Sequence, residues 1–120
     1  MGEVIETGVD IIEIDRIVDA MTKYGERFLE RVYTPGEIAQ SRGRAESLAA
    51  RFAAKEATFK VLGVRLGWRD VEVQREASGK PRLLLHGRAR VEADRLGLRS
   101  WSVSLSHSRG NAVAVVVAQG

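Results

Sequence analysis

The chain has 120 residues, a net charge of +3 and no cysteine; 44% of its residues are hydrophobic and 29% are charged. We expect one globular domain over residues 1–120, without disulfides, zinc–thiolate sites or thiol nucleophiles. No apolar run approaches the about 20 residues of a membrane span, and the N-terminus does not resemble a secretory signal, so we expect a cytoplasmic protein without a membrane partner.

Charge is unevenly distributed along the chain. The first fifteen residues include five acids and no base, whereas residues 42–69 contain seven basic residues and two acidic ones. A metal ion near the first segment and a polyanion near the second would suit this division. Chance clustering of surface charges explains it equally well.

The N-terminal third is predicted to contain a strand followed by helices. Residues 4–12 alternate in polarity and are rich in Val, Ile and Thr, which predicts a strand. Apolar residues then recur at three- and four-residue spacing, which predicts an amphipathic helix starting near Asp10 to Glu13. A helical piece follows at residues 27–32, and TPGE predicts a further helix that begins with a capping box at Thr34.

The longest predicted helix covers residues 45–62, which are rich in alanine and contain no Gly or Pro, and it ends at Gly63. Beyond it, alternating or β-branched segments are separated by turn residues. The predicted elements there are a hairpin of residues 70–74 and 82–85, a helix over residues 87–96, and strands over residues 100–106 and 112–118. Helices interspersed with hairpins indicate an α+β fold.

Asp10 ends the stretch TGVD, at the end of the first predicted strand. A carboxylate there can project from a rigid element into a cleft, which makes Asp10 a candidate ligand. Asp is also a favoured N-cap residue, so capping of the following helix is the other interpretation.

The segment RFAAKEATFKVLG places four charged residues on an otherwise apolar helix. Arg51 and Lys55 are four residues apart, as are Glu56 and Lys60, so each pair lies on one stripe. The charged stripes are either ordinary exposed i,i+4 pairs or parts of a site, and the apolar surroundings favour burial. Asp10 and Glu56 would be enough protein ligands for a hard cation such as Mg²⁺, with the basic residues balancing substrate phosphates.

His107 follows a strand of alternating polarity in the sequence SLSHS. It could orient a phosphate or carry a proton, although a histidine at a strand end is often only structural. A hydrolase centred on Ser106 is disfavoured, because the sequence lacks the GxSxG elbow and an identifiable third triad member. SGKP, residues 78–81, predicts a turn and is too short for a phosphate-binding loop.

Four segments taken together resemble the holo-acyl-carrier-protein synthase family of 4'-phosphopantetheinyl transferases: GVDIIEIDRI, RFAAKEATFKVLG, SGKP and SLSHS. Their order and spacing agree with that family over nearly the whole chain. The resemblance implies the family's fold, with a long central helix packed on a mainly antiparallel sheet. It also implies Mg²⁺-dependent transfer of 4'-phosphopantetheine from coenzyme A to a serine of apo acyl carrier protein, for fatty acid biosynthesis.

The same resemblance implies roles for individual residues. Asp10 and Glu56 match the metal ligands, and Lys60 would neutralise the coenzyme A pyrophosphate. Glu56 is the first candidate for the base that takes the serine proton and His107 is the second, so Glu56, Lys60 and His107 are expected to be catalytic. Arg16 is expected to dock the acidic carrier protein. The expected coenzyme A-binding residues are Arg51, Lys60, Lys80, Pro81, Ser106 and His107; Lys55 is expected only in an ordinary exposed pair.

The resemblance further implies a homotrimer with active sites between subunits, and the chain departs from the family pattern in two places. The family often has a second glycine two residues after the one that ends the long helix, whereas Gly63 is followed here by Val64 and Arg65. Thr58 and Phe59 stand where an aromatic-then-small pair is usual. The first departure concerns the contacts of the loop, and the second concerns packing near the site.

Two other functions fit parts of the sequence. A catalytically inactive module of the same fold, which binds a nucleotide or an acidic protein, is the main alternative; the expected metal ligands together with Lys60 and His107 argue against it. An RNA-binding domain is weaker, because Phe59 and Trp68 lie in no recognisable stacking motif and the charge excess is small. We therefore expect no nucleic-acid partner.

Overall fold

The computed structural model describes residues 3–120, and within this range the elements follow one another in the expected order, with ends that shift by a few residues. No helix in this range is long and apolar enough to cross a membrane. The elements are β1 (Ile5–Glu13), α1 (Ile14–Tyr24), α2 (Glu26–Val32), α3 (Pro35–Ser41), α4 (Ala45–Leu62), a single 3₁₀ turn (Trp68–Asp70), β2 (Val71–Arg75), β3 (Pro81–Leu85), α5 (Gly87–Arg95), β4 (Ser100–His107) and β5 (Asn111–Gln119).

Helix α4 is the centre of the fold. Its alanine-rich sequence favours the helix, and Gly63 closes it in the left-handed conformation, with a φ of 74°. Buried residues lie all around α4 because both sheets and helices α1, α3 and α5 pack against it. The interpretation of its charges as exposed stripes is therefore wrong for Arg51 and Lys55, which are 1% and 0% exposed.

Strands β1, β5 and β4 form an antiparallel sheet, in that order, which packs on α4. Strand β5 turns three alanines and one valine towards the helix, and all four are fully buried. Gly8 of β1 makes the closest approach, because a Cβ atom built there would lie 2.2 Å from the carbonyl oxygen of Ala57. Small side chains on both elements therefore bring the β1 backbone against the α4 backbone.

The opposite face of this sheet, which we call the outer sheet face, is apolar. Ile5, Val9 and Ile11 of β1 are 56% to 66% exposed, and Val115 of β5, directly opposite Val9, is 41% exposed. Contiguous exposed apolar residues of this kind mark an interaction surface.

Strands β2 and β3 form a separate antiparallel hairpin, and side chains from α3 and α4 bind the free edge of β2. The backbone N–H of Val73 donates to Glu37, and its carbonyl accepts from Arg51. The backbone N–H of Arg75 donates to Gln40, whose amide group donates back to the Arg75 carbonyl. These side chains supply the hydrogen bonds that a further strand would make, so they fix the hairpin to the helices.

Candidate active site

Asp10 lies inside β1 and not at the start of α1. Pairing with β5 continues to Glu13, and α1 begins at Ile14 with Glu13 at the N-cap position. The interpretation of Asp10 as a helix cap is therefore wrong. The physical reason is tertiary, because the ladder with β5 keeps the backbone extended for three residues beyond Asp10.

Asp10 and Lys60 form the first ion pair of the site. Lys60 Nζ lies 3.1 Å from Asp10 Oδ1 and also donates to the Val9 carbonyl oxygen at 2.8 Å. The close approach of the backbones at Gly8 brings β1 near enough to α4 for both contacts. The Lys60 side chain is 56% exposed and that of Asp10 is 19% exposed, so a ligand can reach both groups.

Glu56 and Arg65 form the second ion pair. The Arg65 guanidinium reaches both carboxylate oxygens, with Nη2 3.0 Å from Oε2 and Nη1 3.4 Å from Oε1. It also lies over the aromatic rings of Trp68 and Phe59, 5.4 Å and 5.8 Å from their centroids. The loop after α4 therefore contacts the site through an arginine at the position where the family pattern has a second glycine.

The two carboxylates suit a hard divalent cation. Glu56 and Lys60 lie one helical turn apart on α4, and Lys60 contacts Asp10, so both carboxylates border one region of the surface. Residues 3–120 contain no cluster of three or more metal-binding side chains. Mg²⁺ is nevertheless commonly bound by only one or two protein carboxylates, with water and substrate phosphate as its remaining ligands. The donor set therefore fits Mg²⁺ bound together with a phosphate substrate.

His107 and Ser106 line a different region, at the end of β4. They border a cavity of about 220 Å³ together with Arg44, Glu46, Ser47 and Arg75. Two arginines outweigh the single carboxylate, and with a histidine and two hydroxyl groups they suit an anionic ligand. We call this region the His107 cavity.

Three of the other expected coenzyme A-binding residues, Arg51, Lys80 and Pro81, are connected to the His107 cavity only through residues that line it. Arg51 is buried beneath it, where its Nη1 atom donates to Ser47 Oγ at 2.5 Å and Nη2 donates to Gln40 at 2.9 Å. Arg75 of the cavity donates to the carbonyl of Gly79, which directly precedes Lys80 in the hairpin turn. Pro81 follows as the first residue of β3. Arg51 thus contacts Ser47 of the cavity wall, and the β2–β3 turn contacts Arg75 of the same wall.

The carboxylates and the His107 cavity lie at opposite edges of the sheet. Asp10 is on β1, His107 is on β4, and β5 runs between them, with Ala112 paired to His107 and Ala114 paired to Asp10. Two strand spacings separate these edges by about 10 Å. One chain therefore does not bring His107 to the two carboxylates.

Lys55 does not belong to either site region. Its ammonium group donates to Glu37 Oε1 at 2.8 Å and to the carbonyl oxygens of Trp68 and Val71. Burial lowers the pKa of Lys55, and the Glu37 carboxylate opposes that shift. The expectation that Lys55 forms an ordinary exposed pair is wrong, because the hairpin and α3 cover this side of α4.

The sequence interpretation missed Arg65, Arg44, Ser47 and Arg75 as site residues. Arg44 and Arg65 belong to the excess of basic residues over 42–69, and that excess was the only sequence signal for them. Their individual roles depend on which loops and strand ends meet, and local periodicity does not report that.

Arg16 lies exposed on α1, and the next helix, α2, carries the basic residues Arg27 and Arg31. Arg27 and Arg31 border an apolar groove of about 550 Å³ that Phe28 and Phe52 also line. A basic rim around apolar side chains suits an acidic amphipathic partner.

Comparison with known proteins identifies the family. A family model described as the 4'-phosphopantetheinyl transferase superfamily matches residues 6–116. The chain belongs to this superfamily. Among relatives of this transferase, the holo-[acyl-carrier-protein] synthase of Herpetosiphon aurantiacus is 52% identical, and the alignment covers 95% of this chain and 98% of that relative. The synthase of Moorella thermoacetica is 47% identical, with coverage of 96% and 94%.

Solved transferase structures share the fold. The holo-[acyl-carrier-protein] synthase of Helicobacter pylori, solved in complex with coenzyme A, has a TM-score of 0.85 at 33% identity, over 93% of this chain and 98% of that one. The predicted α+β transferase fold and the prediction of a phosphopantetheinyl transferase are therefore confirmed. The roles given to individual residues stay predictions.

Proposed function

We propose that this transferase moves 4'-phosphopantetheine from coenzyme A to a serine hydroxyl of apo acyl carrier protein, which yields holo carrier protein and adenosine 3',5'-bisphosphate. The observation that carries the proposal is the position of Asp10 and Glu56, two partly exposed carboxylates, beside the Lys60 ammonium group. This arrangement suits a pyrophosphate bound through a divalent cation. The proposal places the reaction in the cytoplasm, in fatty acid biosynthesis.

The chemistry is a phosphoryl transfer in which the serine oxygen attacks the phosphorus of the pantetheine phosphate. A new P–O bond forms, the bond to the bridging oxygen breaks, and adenosine 3',5'-bisphosphate leaves with the electron pair. Glu56 takes the serine proton, directly or through a water molecule, and His107 is the second candidate base. Lys60 turns from Asp10 to the leaving phosphate and offsets its negative charge. Mg²⁺ held by Asp10 and Glu56 would polarise the pyrophosphate.

The His107 cavity is proposed to bind an anionic part of coenzyme A away from the pyrophosphate. Arg44 and Arg75 supply the charge, and Ser106 supplies a hydroxyl group beside His107. Arg51, Lys80 and Pro81 are also proposed to contribute to coenzyme A binding. Arg51 would act through Ser47, and Lys80 and Pro81 would act from the hairpin turn next to Arg75.

We propose a homotrimer in which neighbouring subunits complete each site. The carboxylates lie at one edge of the sheet and the His107 cavity at the other, so each chain carries two half-sites. The outer sheet face, with Ile5, Val9, Ile11 and Val115 exposed, supplies apolar area for the contact. A closed ring would pair the carboxylate half of one subunit with the His107 half of the next.

The main experiment follows the mass of an apo acyl carrier protein incubated with the enzyme, coenzyme A and Mg²⁺. We expect a pantetheine-sized gain with the native chain, and its loss with Asp10→Asn or Glu56→Gln while circular dichroism and thermal unfolding stay unchanged. A native chain that binds coenzyme A but modifies none of several carriers would favour the inactive binding module.

A mixing experiment tests the shared site. Asp10→Asn and His107→Ala chains are each expected to be inactive alone. After joint refolding, roughly one interface in four joins an intact carboxylate half to an intact His107 half, so activity should return. Mixed chains that stay inactive, with a trimeric mass by light scattering, would place both halves of the site in one chain and contradict the proposal.

The carrier protein is proposed to dock on the surface formed by α1 and α2. Arg16→Glu should raise the KM for the carrier protein more than the KM for coenzyme A, since it reverses one charge facing an acidic partner. Arg88→Glu on α5 is the matched control, because it also reverses an exposed arginine. Equal effects of the two variants on the carrier KM would remove Arg16 from the docking surface.

A further inference from the structure

Arg65 forms an ion pair with Glu56, one of the two carboxylates that the proposed function assigns to the metal. Its guanidinium forks onto both oxygens of Glu56, at 3.0 Å and 3.4 Å. Asp10, in contrast, gives only one oxygen to Lys60. One Asp10 oxygen is therefore free of side-chain partners within residues 3–120 and open to a cation, whereas Arg65 contacts both oxygens of Glu56.

Two aromatic rings keep Arg65 over Glu56. The guanidinium lies 5.4 Å from the Trp68 ring centroid and 5.8 Å from that of Phe59, which are distances of cation–π contact. Phe59 comes from the same helix as Glu56, and Trp68 comes from the 3₁₀ turn that follows the loop. The arginine is thus held by three groups although its side chain is 62% exposed.

We infer that Arg65 is a displaceable counter-ion that competes with the divalent cation for Glu56 and sets how tightly the cation binds before coenzyme A arrives. The inference rests on the proposed function, because it requires that Glu56 bind the cation. Arg65 must move off at least one Glu56 oxygen for the cation to bind. It also lines the shallow cavity of about 270 Å³ that Glu56, Lys60 and Gly63 border, so after displacement it stays beside the proposed position of the substrate phosphates.

The test is a direct titration of Mn²⁺ in place of Mg²⁺, followed by electron paramagnetic resonance, without coenzyme A or carrier protein. Arg65→Ala should bind Mn²⁺ about two- to fivefold more tightly than the native chain, the range that an exposed ion pair provides. Arg65→Lys should lie between them, since a lysine keeps the charge but cannot fork onto both oxygens. Arg69→Ala is the matched control, because it removes an exposed arginine that makes none of the ion pairs found within residues 3–120.

The outcomes separate this inference from the proposed function. Tighter binding by Arg65→Ala alone supports the inference. Equal tightening by Arg65→Ala and Arg69→Ala would assign the effect to net charge and overturn it, and so would unchanged or weaker binding by Arg65→Ala. If Asp10→Asn and Glu56→Gln leave Mn²⁺ affinity at the native value, the proposed metal site fails, and the role of Arg65 fails with it.

Discussion

Helix α4 carries two lysine–carboxylate pairs five residues apart, and they have opposite surroundings. Lys55 and Glu37 are both 0% exposed, whereas the Lys60 side chain is 56% exposed and its partner Asp10 is 19% exposed. The residue types and the N–O distances, 2.8 Å and 3.1 Å, are similar. Neither charge nor spacing therefore distinguishes a structural pair from a site pair.

The two pairs differ in how completely their hydrogen-bonding capacity is used. Lys55 has three protein acceptors, and Glu37 accepts from Lys55 and from the backbone N–H groups of Thr34 and Val73. Within residues 3–120 no buried side-chain nitrogen or oxygen lacks a partner. Asp10, by contrast, has a single side-chain partner at one oxygen. The buried Lys55–Glu37 pair, whose hydrogen-bonding groups all have partners, stabilises the fold. The more exposed Lys60–Asp10 pair has an unused acceptor and is available to a ligand.

The largest effect on stability is expected for Lys55→Met. It leaves the Glu37 carboxylate buried without its counter-ion, which should lower the free energy of unfolding by about 3 to 5 kcal/mol. Urea denaturation followed by circular dichroism measures this. The double variant Lys55→Met/Glu37→Gln should recover part of the loss, because the uncompensated charge is gone. A loss below about 1 kcal/mol for the single variant would contradict the structural role of the pair.

Gly8→Ala should have the second largest effect, through the contact between β1 and α4. The added methyl group would lie 2.2 Å from the Ala57 carbonyl, so the backbones must separate at a cost of about 1 to 3 kcal/mol. The same shift moves Asp10 away from Glu56, the other proposed ligand on α4, and should weaken Mn²⁺ binding. Gly110→Ala is the control, since nothing lies within 4 Å of its added Cβ. Equal unfolding free energies for the two variants would remove Gly8 from the positioning of the site.

Glu72 provides a smaller, pH-dependent effect. Burial raises the pKa of Glu72, but hydrogen bonds from Thr34, His86 and Gln74 outweigh this and bring the pKa below its usual value. A carboxyl group with a lowered folded pKa stabilises the protein above its unfolded pKa and loses that contribution as pH falls.

Glu72→Gln should therefore lower the free energy of unfolding by about 1 kcal/mol near pH 5. The difference from the native chain should shrink as the pH falls from about 5 to about 3, through the ordinary carboxyl pKa and then the lower folded one. Urea denaturation at both pH values measures it. A difference that stays constant over this range would show that the ionised form of Glu72 has no special stabilisation.

Local features of the sequence predicted most of the fold, and they placed Glu56 and Lys60 of the candidate site on one face of a helix. The capping box at Thr34 and Glu37 and the long helix that ends at Gly63 depend on neighbours in sequence, and both are confirmed. Glu56 and Lys60 lie one turn apart on that helix by geometry alone. The contact of Lys60 with Asp10 required a strand packed on the helix, and small residues at that contact allow it.

Sequence patterns did not predict the features that depend on tertiary packing. A helix buried over most of its surface has no clear amphipathic stripe, so its periodicity could not show that Lys55 faces inwards while Lys60 faces solvent. Helix α1 begins at Ile14, just after the late end of the predicted range of Asp10 to Glu13, because cross-strand pairing overrides local helix preference after Asp10. Arg65 is a loop residue whose position depends on the Phe59 and Trp68 rings, and no short-range pattern records such a contact.

The smallest effect on stability is expected for Lys60→Met, the counterpart of the first substitution on the same helix. Removing the more exposed partner of a partly exposed pair should change the free energy of unfolding by less than about 1 kcal/mol. Transfer to the carrier protein should nevertheless fall by about 100-fold or more, because in the proposed mechanism the leaving phosphate loses the cation that offsets its charge. Parallel urea denaturation and carrier mass assays on Lys55→Met and Lys60→Met measure both quantities. If Lys60→Met instead unfolds as easily as Lys55→Met, or keeps native transfer rates, then side-chain exposure and the number of hydrogen-bond partners do not distinguish the structural pair from the pair of the proposed site.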